Sequence, residues 1–199
     1  MSDNIHPTEH PESERVAGGG LTLWFTGLSG AGKTTIAHHV GPALEERGKI
    51  VEYLDGDVVR THLSKGLGFS KEDRDTNIGR IGWVASRLTR YGAAVIVAAI
   101  SPYAATRQAA REQVEQFGPF VEIHVHASVD ECARRDVKGL YAKAFAGEIK
   151  EFTGVSDPYE EPEGAEVVVN TEELSPEESA QAILARLEEL GLIPAKVSA

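Results

Sequence analysis

From residue 21 onward the chain alternates short runs of β-branched and aromatic residues with longer stretches whose apolar positions recur every three or four residues. The runs fit strands and the stretches fit helices. The pattern predicts strands at Leu21–Thr26, Ile50–Leu54, Ala94–Ile100, Phe120–His126 and Ala165–Asn170. Ile36, Val40 and Leu44 mark one face of a helix over Lys33–Arg47, which Gly41-Pro42 should kink. Ile78, Ile81, Val84, Ala85 and Leu88 mark a second helix over about Lys71–Tyr91. The last helix, Pro176–Leu190, has Ser175 as cap, Pro176 at its first position, Glu177 and Glu178 in its first turn, and Gly191 beyond its end. Strands alternating with helices in this way build an α/β fold, a five-stranded parallel sheet with helices on both faces.

Residues 1–20 lack apolar periodicity and end in three glycines, so they read as a flexible tail before one domain over 21–199. The 199 residues are 41% hydrophobic, enough to fill a core, and carry a net charge of -11, which argues against nucleic acid and anionic membranes as partners. Cys132 is the single cysteine, which excludes an internal disulfide and a multi-cysteine zinc site. No leader pattern and no apolar run of about 18 residues is present, and the expected location is the cytoplasm.

Gly27-Leu28-Ser29-Gly30-Ala31-Gly32-Lys33-Thr34 matches the phosphate-binding pattern G-x-x-x-x-G-K-[ST] between a predicted strand and a predicted helix, with Thr35 following. Backbone N–H groups here would cradle phosphates, Lys33 would approach the terminal ones, and the Thr34 hydroxyl would ligate Mg²⁺. A nucleoside triphosphate site follows. The third strand ends in Ser101-Pro102-Tyr103 without an acid, so the carboxylates must come from Asp55 and Asp57 after the second. Asp57 would accept a proton from an attacking hydroxyl or hold a Mg²⁺-bound water, with Asp55 orienting it or sharing the metal; Asp57 also suits a helix N-cap.

Between Arg60 and Arg90 seven basic residues face three acidic ones, against the sign of the whole chain. Arg74 and Asn77 share the apolar helix face and should point inward, whereas Arg80 and Arg87 look solvated. An anionic acceptor held by guanidinium groups would explain the excess. The basic stretch Arg134–Lys143, with Gly139 and Gly147 as hinges, reads as a mobile lid, or as a solvated helix with paired charges. The nine acids from Asp157 to Glu178 read mainly as solubility.

These blocks resemble the adenylylsulfate kinase family: the loop over Gly27–Thr35, Leu54-Asp55-Gly56-Asp57, Lys65-Gly66-Leu67-Gly68-Phe69-Ser70, Asp73-Arg74, Asn77-Ile78, Ile100-Ser101-Pro102-Tyr103, Arg135-Asp136-Val137-Lys138-Gly139-Leu140-Tyr141 and Phe152-Thr153-Gly154. The resemblance implies a three-layer P-loop kinase fold and transfer of the ATP γ-phosphoryl to the ribose 3′-hydroxyl of adenosine 5′-phosphosulfate, in a stand-alone homodimer without a fused sulfurylase. It also implies that Arg60, Arg74 and Asn77 grip the phosphosulfate, that Phe69 and Phe152 sandwich the adenine, and that Ile100, Ser101, Lys138, Gly139 and Leu140 line the same pocket. Ser101 is a phosphoserine in parts of the family; direct transfer needs no such step. Phe145, Gly79 and Ala104 stand where the family usually has Arg. A kinase of another small hydroxyl acceptor, and a nucleotide-binding regulator, are the competing readings.

Overall fold

A computed structural model describes residues 19–195, so most of the predicted tail, residues 1–18, lies outside the described residues. In chain order the elements are β1 (Leu21–Thr26), α1 (Lys33–Glu45), β2 (Val51–Asp55), α2 (Gly56–His62), α3 (Lys71–Arg90), β3 (Ala94–Ala98), α4 (Ala104–Glu115), β4 (Phe120–His126), α5 (Val129–Arg135), α6 (Leu140–Phe145), β5 (Val167–Asn170) and α7 (Pro176–Glu189). All five predicted strands are present and all pair in parallel, in the order β2-β3-β1-β4-β5. β3 stops at Ala98, two residues before the predicted end, although Ala99 N still donates to Phe25 O at 3.2 Å.

The pleat divides the core in two. Leu21, Leu23, Phe25, Val121, Ile123 and Val125 face α1 and α7, while Trp24, Val95, Val97 and Phe120 face α3 and α4. On this second side α4 reaches the start of β4, where Arg107 pairs with Glu122 and Arg111 lies over Phe120. Residues 157–166 form an irregular strap beside it: Tyr159 Oη bonds Thr26 Oγ1 at 3.0 Å, Glu160 N donates to Pro102 O at 2.8 Å, and Glu122 N donates to Glu166 Oε2 at 2.6 Å. The acids predicted to serve solubility are thus mostly engaged. Asp157, Glu160, Glu166, Glu172 and Glu178 each accept a hydrogen bond, and Arg111 holds Glu166 through both carboxylate oxygens at 2.9 Å.

α1 passes through Pro42 without ending. Pro42 and His38 both lie on the exposed side, where water can satisfy the carbonyl that loses its N–H partner. Gly41 answers a different need: a Cβ there would lie 1.6 Å from Tyr53 Oη. α7 has the predicted capping box, Ser175 with Glu178 and Pro176 in the first turn. α3 is capped by Ser70, whose Oγ accepts from Asp73 N at 3.2 Å. Its Gly79 has no heavy atom within 4 Å of a built Cβ. Gly79→Ala should therefore stabilise the fold by about 1 kcal/mol, through helix propensity and a less flexible unfolded chain. Chemical denaturation would register this as a higher midpoint at unchanged slope.

Candidate active site

The strand order reverses between β1 and β3, and ligands of open α/β sheets collect beyond the carboxyl ends of strands at such a point. The phosphate-binding loop leaves β1 there. Gly27 is required sterically, since a Cβ would sit 2.3 Å from Val125 O, and Gly30 and Gly32 have φ of 80° and 106°. Lys33, buried beneath the loop, donates from Nζ to Gly27 O at 2.9 Å and Leu28 O at 2.7 Å. Burial lowers its pKa to about 8, against the opposing pull of Cys132 and Asp55.

The loop is braced from behind by a residue that the lid reading counts within the mobile stretch. Arg135 donates to Gly30 O at 3.3 Å, to Thr171 Oγ1 at 3.0 Å and to Thr171 O at 2.8 Å, while Tyr141 Oη donates to Ser29 O at 2.9 Å. Arg134 and Arg135 also hold the Glu131 carboxyl down to about 2. The segment predicted as a lid is therefore a composite. Arg134 and Arg135 form the paired-charge helix end of the alternative reading, and Lys138 alone among its cations reaches across, pairing with Asp57 Oδ2. Gly139, with φ of 64°, and Leu140 open α6 beside it, and Asp136 accepts from Tyr141 N at 3.0 Å and Ala142 N at 3.1 Å.

The helix-cap role considered for Asp57 falls to its neighbour. Asp55, not Asp57, caps α2: its Oδ1 accepts from Asp57 N at 2.9 Å. Its Oδ2 accepts from Thr34 Oγ1 at 2.7 Å, which brings the two predicted metal-supporting groups of β2 and the phosphate loop together. Asp57 remains exposed, its carboxylate paired with Lys138. A hydroxyl and carboxylates form an all-oxygen donor set, the kind that suits Mg²⁺.

The predicted acceptor residues gather on the other flank. Arg74 and Asn77 are buried, as their helix face requires. Arg74 donates from Nε to Phe69 O at 2.7 Å, bonds Thr153 Oγ1 and Glu151 O, and lies 3.6 Å from Asp157 Oδ2. Asn77 Oδ1 is buried and finds no hydrogen-bond partner among the described residues. Arg60 donates to Gly68 O at 2.9 Å and its guanidinium lies 4.4 Å from the Phe69 ring centroid. Phe69 is 59% exposed and so is not a core residue; Phe152 is half-buried, edge-on to Tyr141 at 4.9 Å. Arg80 is exposed as expected, but Arg87 is half-buried over Phe117, its centroid distance 4.4 Å, because its long stem covers an aromatic surface.

Ile100 and Ser101 close the back of the cleft. Ile100 O accepts from Gly27 N at 3.4 Å and Thr26 Oγ1 at 2.6 Å. Ser101, with φ of 48°, is 1% exposed and its Oγ accepts from Trp24 Nε1 at 3.1 Å. Sequence reasoning missed Asp157, Thr153 and Tyr103 as partners of this flank, where Tyr103 Oη donates to Asp157 Oδ2 at 2.7 Å. Thr153 and Tyr103 stand in blocks that carry the resemblance, but their pairing with Arg74 and Asp157 arises through the fold.

The family model described as adenylylsulphate kinase matches residues 19–170. The adenylyl-sulfate kinase of Picosynechococcus sp. is 57% identical over 174 residues, 87% of this chain and 97% of that protein. That of Rippkaea orientalis is 56% identical over 179 residues, 90% of this chain and 97% of that protein. Among solved structures, the Mycobacterium tuberculosis APS kinase in complex with AMPPNP and APS superposes with a TM-score of 0.81 at 43% identity, covering 85% of this chain and 98% of that one. A sugar kinase from Janibacter sp. shares the fold, with a TM-score of 0.57 at 20% identity, covering 85% of this chain and 94% of that one. A phosphate loop, an acid pair and a guanidinium-lined flank at one sheet edge, together with these identities, place the chain in the adenylylsulfate kinase family.

Proposed function

We propose that the chain transfers the γ-phosphoryl group of ATP to the ribose 3′-hydroxyl of adenosine 5′-phosphosulfate, giving 3′-phosphoadenosine 5′-phosphosulfate and ADP. The observation that carries this is the pairing of two anion-binding flanks across one cleft, the phosphate loop with Lys33 and the buried Arg74–Asn77 pair. The relative that shares 43% of its sequence holds a nucleotide triphosphate analogue and the sulfonucleotide together.

In this reading Gly27–Thr35 wrap the triphosphate, and Lys33 stabilises the charge that spreads over the transferring group. Thr34 and Asp55 would hold Mg²⁺, which would neutralise charge on the triphosphate. Asp57 takes the proton of the 3′-hydroxyl as its oxygen bonds to phosphorus and the bond to the ADP oxygen breaks. Lys138, now on Asp57, keeps that carboxylate aimed and would swing toward the phosphoryl as it moves. Arg60, Arg74 and Asn77 bind the phosphosulfate, Phe69 and Phe152 flank the adenine, and Gly139 and Leu140 edge the pocket. Ser101 is sealed beneath the sheet edge and bonded to Trp24, which supports direct transfer over a phosphoserine.

Among the described residues no helix is long and apolar enough to cross a membrane. The ATP requirement and the buried thiol of Cys132 suit a cytoplasmic enzyme. Exposed Ile50, Trp83 and Tyr91 suit a homodimer.

Incubation with Mg²⁺-ATP and a panel of hydroxyl acceptors tests the function. Phosphate on adenosine 5′-phosphosulfate supports it; efficient labelling of a sugar or another nucleoside instead would replace it, and no turnover at all would leave a regulator. Phe69→Ala should raise the acceptor KM about tenfold, from the loss of base stacking, with the ATP KM nearly unchanged. Equal rises in both would remove Phe69 from the acceptor pocket.

A further inference from the structure

His124 and His126 are two residues apart on β4, so the pleat turns both to the same sheet face. It is the face that α4 covers only near Phe120 and Glu122, and beyond them the strap's Tyr159 packs on it. Glu161 comes from the strap, and one ligand atom from each of the three, two imidazole nitrogens and a carboxylate oxygen, lie within 4.8 Å of one another. We propose that His124, His126 and Glu161 bind a divalent transition-metal ion of the zinc class, at a site separate from the one for Mg²⁺-ATP.

The donor set makes the choice of ion. Imidazole nitrogen favours zinc, copper and nickel, whereas Mg²⁺ and Ca²⁺ favour oxygen. Two histidines and one carboxylate leave a fourth tetrahedral position open, and the exposed Glu161 gives it access to solvent. Coordination at ordinary bond lengths of about 2.0–2.2 Å requires the three atoms to close by about 1 Å, within the reach of a glutamate side chain. The two histidines are fixed already. His124 lies in the ladder opposite Thr26 and Val168, and His126 O accepts from Thr171 N at 3.0 Å. The His124 ring also meets the rings of His126 and Tyr159, at 5.5 and 5.9 Å.

On the strap, Glu161 is presented by firm neighbours. Tyr159 bonds Thr26, and Glu160 accepts from Ala104 N at 2.7 Å and from Arg107 Nη2, through its carbonyl, at 2.8 Å. The nearby Arg107 charge is offset by Glu122 at 2.7 Å. A metal here would pin the strap to the sheet. The same strap carries Asp157, the partner of Arg74 and Tyr103, so occupancy would brace the acceptor flank without touching substrate.

The full chain, without nucleotide and with Mg²⁺ in excess, would be titrated with Zn²⁺ against a chromophoric chelator, and with Co²⁺ by visible absorption. One equivalent should bind, and Glu161→Gln and His126→Asn should each weaken binding at least about tenfold. At about 100-fold excess over the wild-type Kd the melting temperature of the wild type should rise by about 5 °C, and that of Glu161→Gln by no more than about half as much. His6→Ala/His10→Ala, in the chain before the domain, should change neither. The proposal is overturned if Glu161→Gln binds as the wild type does, if the His6/His10 variant alone loses the ion, or if no equivalent binds tighter than about 100 μM.

Discussion

Asp57→Asn is expected to lower kcat by about 10³-fold while the ATP Kd stays within about twofold, the range that loss of a positioned general base commands. The side chain is isosteric and exposed, and its neighbour Asp55, which makes the α2 cap and holds Thr34, is untouched. Folding should therefore survive, which thermal melting would check. Product formation under single-turnover conditions separates the chemical step from release. A variant with wild-type kcat would take the proton-accepting role away from Asp57. Asp55→Asn should behave differently: it loosens both Thr34 and the α2 cap, so nucleotide affinity in Mg²⁺ falls with kcat.

Lys33→Met is expected to reduce kcat/KM for ATP by about 10³-fold or more, because the loop loses its buried cation where charge spreads over the transferring phosphoryl. The carbonyls of Gly27 and Leu28 lose their partner as well, and the loop should relax. The wild-type pH dependence provides a second measurement. Burial brings the Lys33 pKa down to about 8, so the free enzyme is charged below that pH and increasingly neutral above it. A bound triphosphate favours the charged form and raises that pKa. ATP binding should therefore take up a proton near pH 8–9, and affinity should fall as pH rises through about 8. Calorimetry in two buffers of different ionisation enthalpy reads the uptake directly. A buffer-independent heat at pH 8.5, or a pH-independent affinity from 7 to 9.5, would show that Lys33 does not titrate in this way.

Much of the site was legible because its signals are local. Gly27–Thr34 must turn tightly after an apolar strand, and only that spacing of glycines and Lys33 does so. Arg74 and Asn77 were placed inward by helical period alone, and their burial in the structure agrees. Period failed where a long side chain has two ways to be comfortable: Arg87, predicted to be in water, lies along Phe117. It failed again for Arg135, where charge counting cannot distinguish a cation facing the phosphate from one behind the loop.

By itself the sequence determined the five strands and the helices α1, α3 and α7, the triphosphate loop, the acid pair, and which face of α3 turns inward, since each depends on residues within a few positions of one another. Only the tertiary structure decided the pairings across the sheet edge: Asp55 with Thr34, Lys138 with Asp57, and Arg74 with Thr153 and Asp157. These partners come from different strands and loops. Parallel strands return every chain segment to the same edge, so groups far apart in the chain meet there by strand order and register, which no local pattern records.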